Sequence, residues 1–145
     1  MILCDVNILV HASRKDFPQH ALHRSWLERE VGSPRSFAMS DLVVSDFMRV
    51  VTHPRTFKQP SRLKQAVAFA EALLERANCV RVAPGPRHWS IFIDLCRTTR
   101  AVGNAISNAY LGAMAIESGC DWISADRSFA AYPGLRWRNP VAGGM

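Results

Sequence analysis

Three aspartates, at positions 5, 46 and 126, are the side chains of this sequence that are best suited to chemistry. Asp5 ends a short apolar run, Asp126 follows another, and Asp46 lies inside a stretch with helical periodicity. Proteins bind hard divalent cations such as Mg²⁺ and Mn²⁺ through two or three carboxylates together with water. A cation held in this way activates water and stabilises the charge on a transferring phosphoryl group. The trio therefore indicates a candidate site for metal-assisted phosphoryl chemistry.

A second interpretation of these aspartates stays open at this point. A lone aspartate at the end of a strand is often a turn or cap residue rather than a metal ligand. This applies to Asp5 and Asp126 but less to Asp46, which lies within a predicted helix between Ser45 and Phe47. Spacing alone does not separate the two interpretations.

The elements that must position these residues alternate between strand and helix. Short apolar runs predict strands at 2–4, 37–39, 80–82, 122–124 and 135–137, with helical segments between them. This order predicts one α/β domain over residues 1–145, with a mostly parallel central sheet, helices on both faces and a loose tail at about 139–145. In such a sheet ligands bind beyond the carboxyl ends of the strands, where Asp5 and Asp126 fall.

Local signals also predict where helices begin and which residues they bury. Pro18 fits the first position of one helix, and Ser40, Ser61 and Ser107 fit N-caps of three others. The predicted apolar stripes include two groups: Leu22, Trp26, Leu27 and Val31, then Trp89, Phe92, Ile93 and Cys96.

Composition indicates the cellular compartment of the protein and the kind of partner that it binds. The chain carries a formal net charge of +6, which favours an anionic partner, nucleic acid first. The four cysteines show no metal-ligand spacing and are expected to be buried free thiols, and His20 and His23 are expected at the surface. The amino terminus does not read as a secretory signal, and no apolar run reaches the roughly 20 residues that span a bilayer. A cytoplasmic protein with no membrane segment is expected.

Three longer segments carry a family resemblance. They are MILCDVNILV at the start, LVVSDFMRVVTHPRTF in the middle and GNAISNAYLGAMAIESGCDWISADRSFAAYPGLRWRNP at the end. With these segments the sequence resembles the PIN-domain ribonucleases, and among them the VapC-type toxins of bacterial toxin–antitoxin pairs. The resemblance covers nearly the whole chain and implies a PIN-like three-layer sandwich and a Mg²⁺- or Mn²⁺-dependent endoribonuclease.

The resemblance also implies roles for individual residues. The first acid of the family falls on Asp5, the second, usually Glu, on Asp46, and the fourth on Asp126. The third falls on Asn108, where family members resemble one another in having Asp. These four are the expected catalytic residues, with Asp5, Asp126 and Asn108 as metal ligands. Two polar residues are expected to support them: Asn7 and Ser124.

Asn108 is the most consequential departure from the family pattern. Its amide oxygen can coordinate a metal, but it is neutral, and it cannot serve as a base. Removing one unit charge beside a dication matters by several kcal/mol at close range, at roughly 4 kcal/mol per unit-charge pair for an effective dielectric of about 20. Two explanations stay open: an engineered substitution that disarms a toxic nuclease, or a natural member that is weakened or binds RNA without cutting it.

Basic residues near the acids suit an RNA substrate. Contacts of this kind fix a phosphate backbone without reading its sequence. The expected RNA-binding residues are Arg49, Arg55, Lys58 and Arg127. The resemblance further implies a homodimer, a VapB-type antitoxin that covers the site, and a structured RNA target such as tRNA or rRNA.

Two rival functions share features with this sequence. The first is a metal-poor PIN-like domain that binds RNA or antitoxin without cutting. The second is a phosphatase of the haloacid-dehalogenase type, suggested by Asp5 after the first strand. That chemistry needs a carboxylate at position 7 and a lysine in the second half of the chain. Position 7 is Asn7, and the last lysine is Lys64, so the second rival is rejected.

Overall fold

A computed structural model describes residues 1–141 of the 145-residue chain. Five strands form one sheet in the order β3-β2-β1-β4-β5, and every neighbouring pair is parallel. The strands are β1 (Ile2–Cys4), β2 (Phe37–Ser40), β3 (Cys79–Val82), β4 (Asp121–Ile123) and β5 (Trp137–Arg138). The prediction of an α/β domain with a parallel sheet is confirmed.

Six helices connect the strands. They are α1 (Val6–Ser13), α2 (His20–Gly32), α3 (Asp41–Val51), α4 (Leu63–Leu74), α5 (His88–Thr99) and α6 (Asn104–Ser118), and a 3-10 turn follows at Arg127–Ala131. The chain moves outward from β1 to β3 and then crosses back to β4. Because parallel crossovers are right-handed, the reversal places α1–α4 on one face of the sheet and α5 and α6 on the other. This is the three-layer arrangement that was predicted.

The reversal of direction defines where a site can form. The first connection leaves β1 toward β2, whereas β4 lies on the other side of β1. A crevice opens beyond the carboxyl ends of two adjacent parallel strands when their connections leave in opposite directions. The register pairs Cys4 with Ile123, so Asp5 and Ser124 emerge side by side at this crevice.

The core holds this edge of the sheet in place. Leu3, Trp122, Ile123 and Phe129 are at most 1 % exposed, so the strands beneath the crevice are buried on both faces. Near-continuous burial of short strands is the usual state of parallel sheets covered by helices. The residues that follow β1 and β4 are therefore fixed to a rigid base.

Two predicted N-caps are wrong. α4 begins at Leu63 after Arg62 and ends at Leu74, so Ser61 is not its cap. α6 begins at Asn104 after Gly103, whose positive φ of 59° sets the turn, and not at Ser107. The earlier start places Asn108 in the second turn of α6. Pro18 likewise lies before α2, which begins at His20, and not at its first position.

The predicted burial is wrong at several positions. Leu22 and Trp89 are exposed (59 % and 68 %), whereas His23 is 1 % exposed. His23 Nδ1 lies 3.0 Å from the Gln19 carbonyl oxygen, while its buried Nε2 has no hydrogen-bond partner within the described residues. The four cysteines are free as predicted, but only Cys4 and Cys120 are buried; Cys79 and Cys96 are half-buried.

Within residues 1–141 the helices are all too short or too polar to cross a membrane. The predicted loose tail falls partly outside the described residues. In the described part, the Val141 N–H donates to Asn139 Oδ1 at 3.1 Å.

Candidate active site

Asp5 is the buried centre of the site. It caps the N-terminus of α1, and Oδ1 accepts the Val6 N–H at 2.7 Å. Its Oδ2 accepts the Ser124 hydroxyl at 2.7 Å, and the side chain is 7 % exposed. Burial raises the pKa of the Asp5 carboxyl, while these two hydrogen bonds lower it. Asp5 is therefore a helix cap that also lies in the crevice, and its role as a metal ligand stays a prediction.

Asn7 and Ser124 join the ends of β1 and β4. Asn7 Nδ2 donates to Asp5 Oδ2 at 3.3 Å and to Ser124 Oγ at 3.1 Å, and Asn7 Oδ1 accepts the Ala125 N–H at 3.1 Å. Ser124 Oγ in turn accepts the Asp126 N–H at 3.0 Å. This network fixes the spacing between Asp5 and Asp126. It places the two predicted supporting residues in direct contact with the acids.

Asp126 and Asn108 meet on the opposite wall. Asp126 caps the 3-10 turn, and Oδ1 accepts the Ser128 N–H at 2.9 Å. Asn108 Nδ2, from α6, lies 3.5 Å from Asp126 Oδ2 and 3.3 Å from Ser128 Oγ. The amide at position 108 thus turns a hydrogen-bond donor toward Asp126, where an aspartate would turn an acceptor.

Asp46 faces the same crevice but is paired with a cation of its own helix. Asp46 Oδ1 lies 2.6 Å from Arg49 Nη2 and 2.7 Å from Arg49 Nε. Asp46 and Asp126 both raise the pKa of Asp5, which shows that the three charges interact. Asp46 and Arg49 also line a cavity of about 570 Å³ between α3, α5 and α6. The structure therefore brings Asp5, Asp46, Asn108 and Asp126 to one edge of the sheet.

The donor atoms at this edge suit a hard cation. Carboxylate and amide oxygens are the ligands that Mg²⁺ and Mn²⁺ prefer, and the mutual repulsion of the acids would be relieved by positive charge. Within residues 1–141, no three His, Cys, Asp or Glu side chains gather as a ready-made metal cluster. Position 108 carries an amide in place of a carboxylate, and Asp46 is paired with Arg49. The assignment of Asp5, Asp126 and Asn108 as metal ligands stays a prediction.

The four predicted RNA-binding residues lie in different settings. Arg49 is engaged with Asp46, while Arg55 and Lys58 are exposed on the connection between α3 and α4. Arg127 is exposed directly after Asp126. Arg49 and Arg127 therefore lie next to acids of the site. Arg55 and Lys58 lie farther from these acids along the chain. Their role in RNA binding is not tested by these positions.

Residues 2–135 match the PIN domain. Ribonuclease VapC43 of Mycobacterium tuberculosis is 41 % identical over 143 residues, which cover 99 % of this chain and 97 % of that protein. The chain belongs to the PIN-domain family, among the VapC ribonucleases.

Solved PIN-domain structures agree with the fold. VapBC2 from Rickettsia felis, bound to a DNA fragment from its promoter, superposes with a TM-score of 0.69 at 17 % identity, over 96 % of this chain and 98 % of that one. VapC20 of Mycobacterium tuberculosis, a Sarcin-Ricin loop cleaving toxin, gives a TM-score of 0.65 at 14 % identity, over 94 % and 98 %. The predicted PIN-like fold is confirmed.

Ser128 is the site residue that sequence reasoning missed. Its backbone N–H and its hydroxyl contact Asp126 and Asn108 respectively. The local signal was present, because an aspartate followed two residues later by serine at a helix start is a common capping pattern. Ser128 thus contacts two of the four site positions at once.

Proposed function

We propose that this chain is a VapC-type endoribonuclease toxin that hydrolyses phosphodiester bonds in structured RNA, with activity weakened by Asn108. The observation that carries the proposal is the network through which Asn7 and Ser124 hold Asp5 and Asp126 at adjacent strand ends. The ribonuclease names of its relatives and the cleavage of the sarcin–ricin loop by VapC20 support RNA as the substrate. A tRNA or an rRNA is the proposed target.

The proposed cofactor is Mg²⁺ or Mn²⁺. When bound, such a cation would supply positive charge to the phosphate and lower the pKa of an attacking water. Asp5 and Asp126 would hold it, with the Asn108 amide oxygen as a third ligand, and Asp46 would orient water. Asp46 must first leave Arg49, so Arg49 competes for the carboxylate. Once released, the Arg49 guanidinium is free to contact a phosphate of the RNA.

The proposed partners follow from the family. A VapB-type antitoxin is supported by the VapBC complex from Rickettsia felis, which shares the fold. A homodimer and a cytoplasmic location are proposed on the same ground. Size-exclusion chromatography with light scattering, on the chain alone and with the candidate antitoxin, tests both assemblies. A monomer that binds no antitoxin would contradict them.

A second function is favoured by one observation. Because Asn108 Nδ2 points at Asp126, the amide is oriented as a donor and not as a metal ligand. In this alternative the chain binds RNA or antitoxin without cutting. Calorimetry with Mn²⁺ separates the two proposals: binding by the Asn108→Asp variant supports the nuclease site, and no binding by either form supports the alternative. Mg²⁺-dependent cleavage of RNA by Asn108→Asp tests the activity itself.

A further inference from the structure

A second, polar groove lies away from the acids. It is formed where the α1–α2 connection meets the α3–α4 connection and encloses about 1040 Å³. Its lining comprises residues 13–16, residues 56–62 and Gln65. No role assigned to the acidic site accounts for this groove.

The groove is built and held by Arg14. The guanidinium stacks over the Phe57 ring, 3.7 Å from its centroid, and donates to Ser61 Oγ at 3.1 Å and to the Gln59 carbonyl at 3.0 Å. It also forms two hydrogen bonds with Asp16, at 3.0 and 2.9 Å. One side chain thus joins both connections, so the groove does not depend on a ligand for its shape.

The charge of the groove is positive. Four basic side chains line it, and its single acid, Asp16, is already paired with Arg14. Lys15 and Lys58 are exposed, and neither forms an ion pair within residues 1–141. The groove also lies at the first turn of α4, whose amides add a partial positive charge. This arrangement suits phosphate groups.

The groove and the acidic site lie at opposite ends of α1. Asp5 caps the start of α1 and Arg14 caps its end, so the two are about 13 Å apart at about 1.5 Å per residue. Asp46 lies on α3, and Lys58 lies on the connection that follows α3. An RNA strand held at the acids therefore needs only a few more nucleotides to reach the groove.

We propose that this groove binds the phosphate backbone of the RNA at a distance from the bond that is cut, chiefly through Lys15 and Lys58. The inference rests on the proposed function, because it takes the acidic site as the point where the strand is held. Phosphate contacts of this kind set the length and register of the RNA, not its sequence. An RNA that spans both sites gains affinity over one that reaches the acids alone.

Fluorescence anisotropy with a labelled single-stranded RNA of about 16 nucleotides, in EDTA, tests the groove. The variant is Lys15→Gln/Lys58→Gln. Its control is Arg29→Gln/Arg97→Gln, which removes two exposed charges from the last turns of α2 and α5, outside the groove. We expect the lysine variant to bind about ten-fold more weakly and its log–log salt slope to shrink by about 1.4, at about 0.7 per phosphate contact. The control should change neither quantity by as much.

The outcomes are distinct. Equal affinities for the parent, the lysine variant and the control overturn the groove proposal. So does an RNA affinity that is unchanged while binding of poly-glutamate is lost, which would assign the groove to an acidic protein segment. Because EDTA removes divalent cations, the binding test does not depend on catalysis. Failure of Asn108→Asp to cleave RNA, with the lysine effect intact, would overturn the proposed function and leave the groove.

Discussion

Ser124→Ala probes how the site keeps a buried carboxylate charged. Ser124 has no exposed surface, and its hydroxyl donates to Asp5 at 2.7 Å while accepting from Asn7 at 3.1 Å and from the Asp126 N–H at 3.0 Å. A hydrogen bond to a charged group contributes about 1.5–3 kcal/mol, and a neutral one about 1 kcal/mol. We expect the substitution to lower the free energy of unfolding by about 3 kcal/mol at neutral pH.

The loss of unfolding free energy in Ser124→Ala should depend on pH in a defined direction. The Ser124 bond lowers the pKa of Asp5, against burial, which raises it. Without the hydroxyl the pKa of Asp5 rises further, so the charged part of the loss is complete above the Asp5 pKa of the variant. It disappears as the pH falls below the Asp5 pKa of the parent, because both proteins then carry a neutral carboxyl.

Urea unfolding across pH measures this difference, and a thermal midpoint lower by about 10 °C is expected at neutral pH. Ser118→Ala is the matched control, since the Ser118 hydroxyl donates to the Met114 carbonyl at 2.7 Å and to no carboxylate. The control should lose about 1 kcal/mol with no change across the same pH range. If both serine variants lose equal stability with the same pH profile, Ser124 does not hold the ionised Asp5.

Two further predictions concern the metal and the helix ends. Arg49→Gln frees Asp46, and we expect calorimetry to give Mn²⁺ affinity up to about five-fold tighter, as an exposed ion pair contributes up to about 1 kcal/mol. The control Arg24→Gln breaks a similar exposed pair with Glu28 and should leave Mn²⁺ affinity unchanged; equal effects would contradict the competition. Gly119→Ala should lower stability by about 1 kcal/mol in urea unfolding, because Gly119 ends α6 at a φ of +70°. The control is Gly32→Ala, because Gly32 has open space around it and no positive φ, and it should not lower stability. Equal losses of stability in the two glycine variants would contradict this reasoning.

Much of the site could be predicted because it lies at strand ends. The apolar run 2–4 stops at Asp5 and the run at 122–124 stops before Asp126, and parallel strands bring such ends to one edge. The departure at Asn108 was visible only through the family pattern. The three segments that carry the family resemblance therefore predict all four positions, which are Asp5, Asp46, Asn108 and Asp126.

The rest depends on contacts between segments that are distant in sequence. α6 begins after Gly103 and not at Ser107 because the backbone turns at positive φ at Gly103. The N-cap signal of the serine competes with this turn but does not decide where the helix begins. The burial of His23 depends on the α1–α2 packing, and hydrophobic periodicity treats histidine as polar. The groove depends on Arg14 meeting Ser61 and Gln59, more than forty residues away.

RNA cleavage by the chain, by Asn108→Asp and by Asn108→Asp/Asp126→Asn, with and without Mg²⁺, tests most directly whether the four site residues form a metal-dependent nuclease site. The added carboxylate places a charge beside the proposed cation, which matters by roughly 4 kcal/mol per unit-charge pair at close range and an effective dielectric of about 20, so even a third of one such pair gives about ten-fold. We expect Mg²⁺-dependent cleavage by Asn108→Asp to be at least about ten-fold faster than by the parent, and to be lost in the double variant. Equal cleavage by all three proteins, or none by Asn108→Asp with Mg²⁺ present, would contradict this expectation.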